Sequence, residues 1–247
     1  MSEAGRVVAL WRYPMKSFLG EQLDEASLGP GGLDGDRRFA LRDAISGHVL
    51  SAKKFSVLLR ARAEIGSDGV MITLPDGSSV SLRDPEAAAA LTSWLGREVQ
   101  IVRPPDGEER AIIEGDMGTF RGRPGGFFDS SAVHVITTST LDALGRMHPS
   151  GRFDPRRFRQ NVVLETAADG FVEERWVGST LELGGTRLEI TKPCSRCVMT
   201  THAQEDLPVD RDILRTVNAR NNEIVGVYGI VRRDGVVRVG DEATLIA

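Results

Sequence analysis

Short apolar and alternating runs follow one another along the chain, each closed by glycine, proline or an Asp-Gly pair, which is the pattern of brief strands joined by tight turns. Residues 7–13 read as an opening strand ended by Pro14, and 37–41 alternate in the strand manner. Further strands are expected over 48–52, 57–65, 70–74 and 79–82, with Ser67-Asp68-Gly69 and Pro75-Asp76-Gly77 as turns. The clearest helix follows: Asp84 stands where an N-cap belongs, Pro85 at the first helical position and Gly96 just past the apolar run. After a strand over 99–102, residues 104–126 are rich in Gly, Pro and charge and read as a loop or linker. Beyond it come strands at 132–137 and 161–165 and a helix at 139–147. A hairpin folds around Gly184-Gly185, joining 181–183 to 186–190, and a helix started by Asp210 carries Ile213, Leu214 and Val217. Strands 224–232 and 236–239, joined at Asp234-Gly235, read as a closing hairpin. Many strands with few helices predict a β-rich α+β protein, a barrel or sandwich with helices attached.

Composition narrows the class. At 247 residues the chain can bury a substantial core, in one large β-rich domain or two smaller ones. A net charge of −4 argues against general nucleic-acid binding, so basic residues gathered anywhere serve a local purpose. No charged segment followed by a long apolar run opens the chain, and two cysteines are too few for a secreted disulfide framework. A cytoplasmic protein is expected.

Those two cysteines lie in one polar, basic stretch, Lys192-Pro193-Cys194-Ser195-Arg196-Cys197. Pro193 lacks a backbone donor and restricts Lys192, so the hairpin strand should end there and a loop present the sulfurs. A cationic neighbourhood favours thiolate, the form that ligates metal or attacks. Three chemistries compete, besides simple burial of two small apolar residues. Structural zinc needs about four ligands, hard to assemble from two cysteines and the scattered His48, His134, His148 and His202. A thioredoxin-like pair expects a helix after the motif, and Val198 to Thr201 are β-branched or apolar. The third reading makes one thiolate a ligand of a redox metal carried by an organic cofactor. Lys16, Arg37 and Arg159, spread over strand ends and turns, would ordinarily be solvated charges, but an anionic phosphorylated cofactor would gather them.

Two blocks of the chain resemble the MOSC family, named for the C-terminal domain of molybdenum cofactor sulfurase. The first is Tyr13-Pro14-Met15-Lys16-Ser17 with Gly32-Leu33 and Asp36-Arg37-Arg38-Phe39. It is similar to the β-barrel-like domain that precedes MOSC in the mitochondrial amidoxime-reducing component and its bacterial relatives. The second is Phe158-Arg159-Gln160-Asn161-Val162-Val163, then Lys192-Pro193-Cys194-Ser195-Arg196-Cys197-Val198-Met199-Thr200-Thr201, ending in Val239-Gly240-Asp241. The resemblance implies a β-barrel-like domain over 1–105 packed on a MOSC barrel over 106–247.

It also implies a bound molybdenum cofactor, a molybdopterin whose dithiolene holds the metal and whose tail carries a phosphate. Cys197 matches the family's metal ligand and Cys194 a structural position. Lys16, Ser17 and Arg37 match contacts to the anionic tail, Arg159 and Asn161 a second group of contacts, and Ser131 joins them on a looser alignment. The activity implied is an oxidoreductase reducing N-hydroxylated or N-oxygenated small molecules, with electrons from a separate ferredoxin, cytochrome or flavin reductase, since no cysteines remain for an iron–sulfur domain. The alternative is a cofactor or sulfur carrier; no fused, pyridoxal phosphate-dependent desulfurase domain accompanies the blocks. His134 and Ser139 are assigned no role. The run His202-Ala203-Gln204-Glu205-Asp206-Leu207-Pro208 departs from the family's acidic turn, at a place expected to border the substrate entrance.

Overall fold

The computed structural model describes residues 2–104, 110–115, 117–122 and 126–246. Seven strands close a barrel, in the spatial order Val162–Glu165, Val133–Thr137, Ile224–Arg233, Thr186–Ser195, Thr180–Leu183, Glu242–Ile246 and Ser2–Arg12, the last pairing back onto the first. Only Val133–Thr137 and Val162–Glu165 run parallel; the other neighbours are antiparallel. The barrel interior is filled from alternate positions, including Val7, Leu10, Val133, Val135, Val162, Leu164, Leu188, Ile190 and Val227. Helices Thr138–Met147 and Asp212–Asn221 cover the outside, setting Leu144, Ile213 and Val217 against Ile136, Val163 and Val225. Residues 133–137 are therefore buried on both faces, which is why they read as a nearly continuous apolar run.

The remaining N-terminal residues form small sheets around a second core. Arg62–Gly66, Gly69–Thr73 and Ser79–Ser81 make a meander, and Ala40–Asp43 pairs with Val99–Val102. Met15, Phe18, Leu41, Leu58, Ile72 and Leu91 pack between them, and Met199 from the cysteine segment enters the same core. The opening strand Ser2–Arg12 belongs to the barrel, and Glu25–Gly29 pairs with Gly235–Arg238, so N-terminal strands are woven into the C-terminal half.

Several local expectations are corrected. Residues 57–65 split into a 3₁₀ turn, Ser56–Arg60, and the strand Arg62–Gly66. The 37–41 strand begins later, at Ala40, because Arg37 takes a left-handed conformation. Residues 48–52 form no regular strand; Val49 makes isolated bridges to Arg42 and Ile113. The helix after Asp84 starts at Ala87: the Asp84 carboxylate accepts from the Glu86 N–H in a local turn, delaying the first helical residue. The stretch expected as a linker holds the hairpin Ile112–Gly115/Gly118–Arg121. Gly235–Arg238 leaves its expected hairpin partner for Glu25–Gly29, and the strand Glu242–Ile246, unforeseen from the sequence, completes the barrel. Pro193 does not end its strand, which runs to Ser195 through register shifts at Ile190/Lys192 and Pro193/Ser195. A bulged strand can carry a residue without an N–H. Val198–Thr201 is a 3₁₀ turn, because the Cys197 carbonyl accepts from both the Thr200 N–H, at 3.2 Å, and its hydroxyl, at 3.0 Å. Among the described residues no helix is long and apolar enough to cross a membrane.

Candidate functional site

One cavity of about 300 Å³ lies where the N-terminal core meets the barrel's end, and Lys16, Ser17, Arg37, Ser131, Arg159, Asn161 and Cys197 all line it. Five chain segments, far apart in sequence, bring them there. Backbone bonds zip the first block together: Arg37 N–H to the Tyr13 carbonyl at 2.7 Å, Lys16 N–H to the Phe39 carbonyl at 2.8 Å and Phe39 N–H to the Pro14 carbonyl at 3.1 Å. Asp36, 1% exposed, ties this block to the second, accepting from the Tyr13 N–H at 2.7 Å, from Asn161 Nδ2 at 3.1 Å and from Arg37 Nη1. Asn161 is fully engaged, since its Oδ1 also accepts from the His134 N–H. It acts as a joint between strands more than as a free ligand. Ser17 and Ser131 are similarly occupied, the first accepting from the Ala52 N–H and the second donating to the Gly229 carbonyl.

Backbone strain collects here. Among the described residues six non-glycine residues have positive φ, and three of them are Ser17 at 67°, Arg37 at 50° and Arg159 at 51°. Side chains rarely tolerate this region unless the surroundings hold them there, and such residues cluster at functional sites. Glycine serves a related need on the barrel wall. Gly226 has φ 79°, and a Cβ there would come within 2.5 Å of His134 Nε2.

The cavity is cationic. Lys16, Arg37, Lys53, Arg159 and Arg196 face it, with Asp129 among the lining and Asp36 directly behind. Arg37 and Arg159 both lie against the Tyr13 ring, at 5.1 and 4.2 Å from its centroid, and Arg37 Nη2 donates to the Arg159 carbonyl at 3.0 Å. Arg159 is 7% exposed; its Nη1 donates to the Phe18 carbonyl, while its Nη2 is buried without a hydrogen-bond partner. Burial, reinforced by Arg37, pushes its pKa down to about 10. A buried guanidinium with an orphan donor is uncommon in a folded protein, and such groups gather at functional sites. Lys16 is pushed down by burial as well, partly offset by Asp129.

Cys197 is half-buried at the cavity wall and Cys194 fully buried behind it; both are free thiols. The basic residue that turns inward is Arg196, which donates to Cys194 Sγ at 2.6 Å and to the Phe158 carbonyl at 2.7 Å. Lys192 is exposed, its Nζ 5.7 Å from the Tyr228 ring, and does not reach the cavity. The four arginines of 152–159 also part company. Arg157 is fully buried, giving its guanidinium to the carbonyls of Arg152, Thr200, His202 and Pro208. Arg152 and Arg156 form ion pairs with Asp154, Glu205 and Asp206. Residues 202–208, expected at the substrate entrance, contribute nothing to the lining; Glu205 instead pairs with Arg62 and Arg156, clipping the two halves together.

Sequence reasoning passed over Lys53, Asp129, Tyr228 and the aromatic wall of Phe120, Phe127 and Phe128, and gave no cavity role to His134 or Phe158. The one available signal was the adjacency of Lys53-Lys54 to a turn. His134 donates Nε2–H to the Val225 carbonyl, and burial with Arg196 nearby pushes its pKa down to about 3, so it is a neutral wall residue. Ser139 is engaged with Thr137 and Gly170, away from the cavity.

The sequence model of the MOSC N-terminal β-barrel domain matches residues 4–109, and that of the MOSC domain matches 122–244. The chain belongs to the MOSC family. Among curated relatives of this MOSC protein, mitochondrial amidoxime reducing component 2 of Macaca fascicularis is 24% identical over 284 residues, covering 98% of this chain and 83% of the relative. The human protein of the same name is also 24% identical, over 287 residues. A crystal structure of the YuaD protein from Bacillus subtilis shares the MOSC protein's fold, with a TM-score of 0.53 at 15% identity and coverage of 98% and 94%.

Proposed function

We propose that the cavity holds a molybdenum cofactor and that the protein is a molybdenum-dependent oxidoreductase acting on N-hydroxylated or N-oxygenated small molecules. The observation that carries this reading is the orphan Nη2 of buried Arg159 in a cavity of five cations with Cys197 on its wall. That donor set fits the group: guanidinium and ammonium groups match phosphate oxygens, and a thiolate is a soft donor suited to molybdenum. Arg37 and Arg159 would hold the phosphate with Lys16 and Lys53, Ser17 and Ser131 would lie within the same contact set, and Cys197 would bind the metal. Bound there, the group supplies two-electron oxygen-atom transfer.

The chain's own part is to bind, orient and exclude water. Asp36 fixes Arg37 and Asn161 against Tyr13, so the cations are positioned before any ligand arrives. Arg196 occupies Cys194 and leaves the Cys197 side chain as the thiol facing the cavity. Phe120, Phe127, Phe128 and Tyr228 narrow access of water around the charged groups. Cytoplasmic residence suits two free thiols, and electrons would come from a separate donor protein. The blocks 1–105 and 106–247 would both be required, because each supplies cavity residues. Metal analysis with pterin fluorescence on protein from a host that makes the cofactor tests the reading. Near-stoichiometric molybdenum and pterin are expected; neither being present would overturn it.

A further inference from the structure

Asp129 lies between two of the cavity's cations. Its Oδ1 accepts from Lys16 Nζ at 2.5 Å, and its Oδ2 stands 2.9 Å from Lys53 Nζ. The lysines belong to separate turns, and Asp129 to the irregular segment just before the strand Val133–Thr137. Lys16 is buried, with the Phe127 carbonyl at 2.9 Å as its other partner. The Asp129 side chain, by contrast, is 32% exposed and has solvent to turn into. A carboxylate that offers one oxygen to each of two ammonium groups presents what two oxygens of a phosphate monoester would present. Burial works against the Asp129 charge, yet Lys16 and Lys53 hold its carboxyl well below the usual range. The two lysines therefore stabilise an anion placed between them, and the contact uses only charge and hydrogen bonds that other oxyanions share.

We propose that Asp129 is a built-in competitor for the ligand's phosphate: it bridges Lys16 and Lys53 while the cavity lacks an anion and is displaced when a phosphate-bearing ligand enters. This rests on the anion-binding reading of the cavity given above. The competitor is tethered and so present at high effective concentration. A singly charged anion gains little by replacing it, whereas a dianionic phosphate gains a further charge at Arg37 and Arg159. Asp129 thus sets a threshold of charge for entry, a specificity role distinct from anchoring.

The test uses the full chain purified from a host unable to make the pterin, with inorganic phosphate and pyrophosphate as probes at fixed ionic strength, read by titration calorimetry. Asp129→Asn removes the competing charge at constant shape and should bind pyrophosphate roughly ten- to a hundred-fold more tightly than wild type. Asp129→Glu keeps the charge and should stay within about threefold of wild type. Should Asp129→Asn lower the melting temperature, the comparison becomes the rise each protein gains from saturating pyrophosphate, which should be larger for the variant. Equal or weaker binding by Asp129→Asn, with wild type still binding, overturns the proposal and makes Asp129 a fixed prop for Lys16. Failure of wild type, Asp129→Asn and Asp129→Glu alike to bind either probe brings down the anion-site reading and this proposal with it.

Discussion

Replacing Arg159 by methionine separates holding a ligand from holding the fold. Burial makes the guanidinium an expensive group: its pKa falls to about 10, well below the ordinary guanidinium range, which corresponds to about 3 kcal/mol against the charged form. The sign is that of a buried cation, a cost fully present below about pH 10 and relieved as pH rises above it. Arg159→Met removes that cost. It also removes the bond to the Phe18 carbonyl, about 1.5–3 kcal/mol, and the stacking on Tyr13, about 1–2 kcal/mol. These terms nearly cancel, so the variant should lie within about 2 kcal/mol of wild type in urea unfolding without ligand. Its response to anions should not cancel. Pyrophosphate stabilises the native state in proportion to its affinity, and losing one buried charge-assisted donor should weaken that affinity roughly ten- to a hundred-fold. The assay is paired urea unfolding, with and without pyrophosphate, for both proteins. A variant that loses more than about 4 kcal/mol without ligand, yet gains as much from pyrophosphate as wild type, would make Arg159 a structural cation and refute the reasoning.

On the reading proposed above the two cysteines part under substitution: Cys197→Ser should abolish activity with the fold intact, while Cys194→Ser should keep the metal and much of the activity, measured as activity and bound molybdenum side by side. Equal loss of activity in both, with metal absent from wild type, would point to dithiol chemistry instead. Arg157→Lys keeps the charge but cannot reach four carbonyls, and should cost about 3–5 kcal/mol in urea unfolding; a loss below about 1 kcal/mol would contradict the geometry. His134 stays neutral when folded, with a pKa near 3, so its contribution is present above about pH 6.5 and lost as pH falls below it, by about 1.4 kcal/mol per pH unit. His134→Gln should flatten that slope between pH 6.5 and 4.5 in equilibrium unfolding.

What the sequence disclosed follows from which interactions are local. Period-two runs at 70–74 and 99–102, and the turns at Gly184-Gly185 and Gly96, declare themselves within a few residues, and they stand almost where expected. Strand Glu242–Ile246 did not, because its apolar positions make sense only beside Thr180–Leu183 and Ser2–Arg12. Gly235–Arg238 was misassigned for the same reason: a two-residue turn signal pointed to its sequence neighbour, while the partner that wins lies about two hundred residues away. The cavity residues that came from motif blocks converge on one site. The pairing of Lys53 with Asp129 was invisible because a Lys–Asp pair between separate turns leaves no spacing to read. Pro193 misled through a sound rule applied to a strand whose bulges lift the need for its N–H.

The strand Ser2–Arg12 lies in the barrel between Val162–Glu165 and Glu242–Ile246. It pairs with Glu21–Leu23 after a short connection and with Val162–Glu165 across the barrel, but the edge that receives Glu242–Ile246 stays open until that strand is made. Lys16 and Ser17 follow Ser2–Arg12 closely, so their place in the cavity depends on this strand being seated in the barrel. Closure joins the most distant pairings in the chain and should be a slow event in folding. A chain stalled short of residue 242 would expose the edges of Ser2–Arg12 and Thr180–Leu183 that Glu242–Ile246 otherwise covers, and with them a surface prone to aggregation.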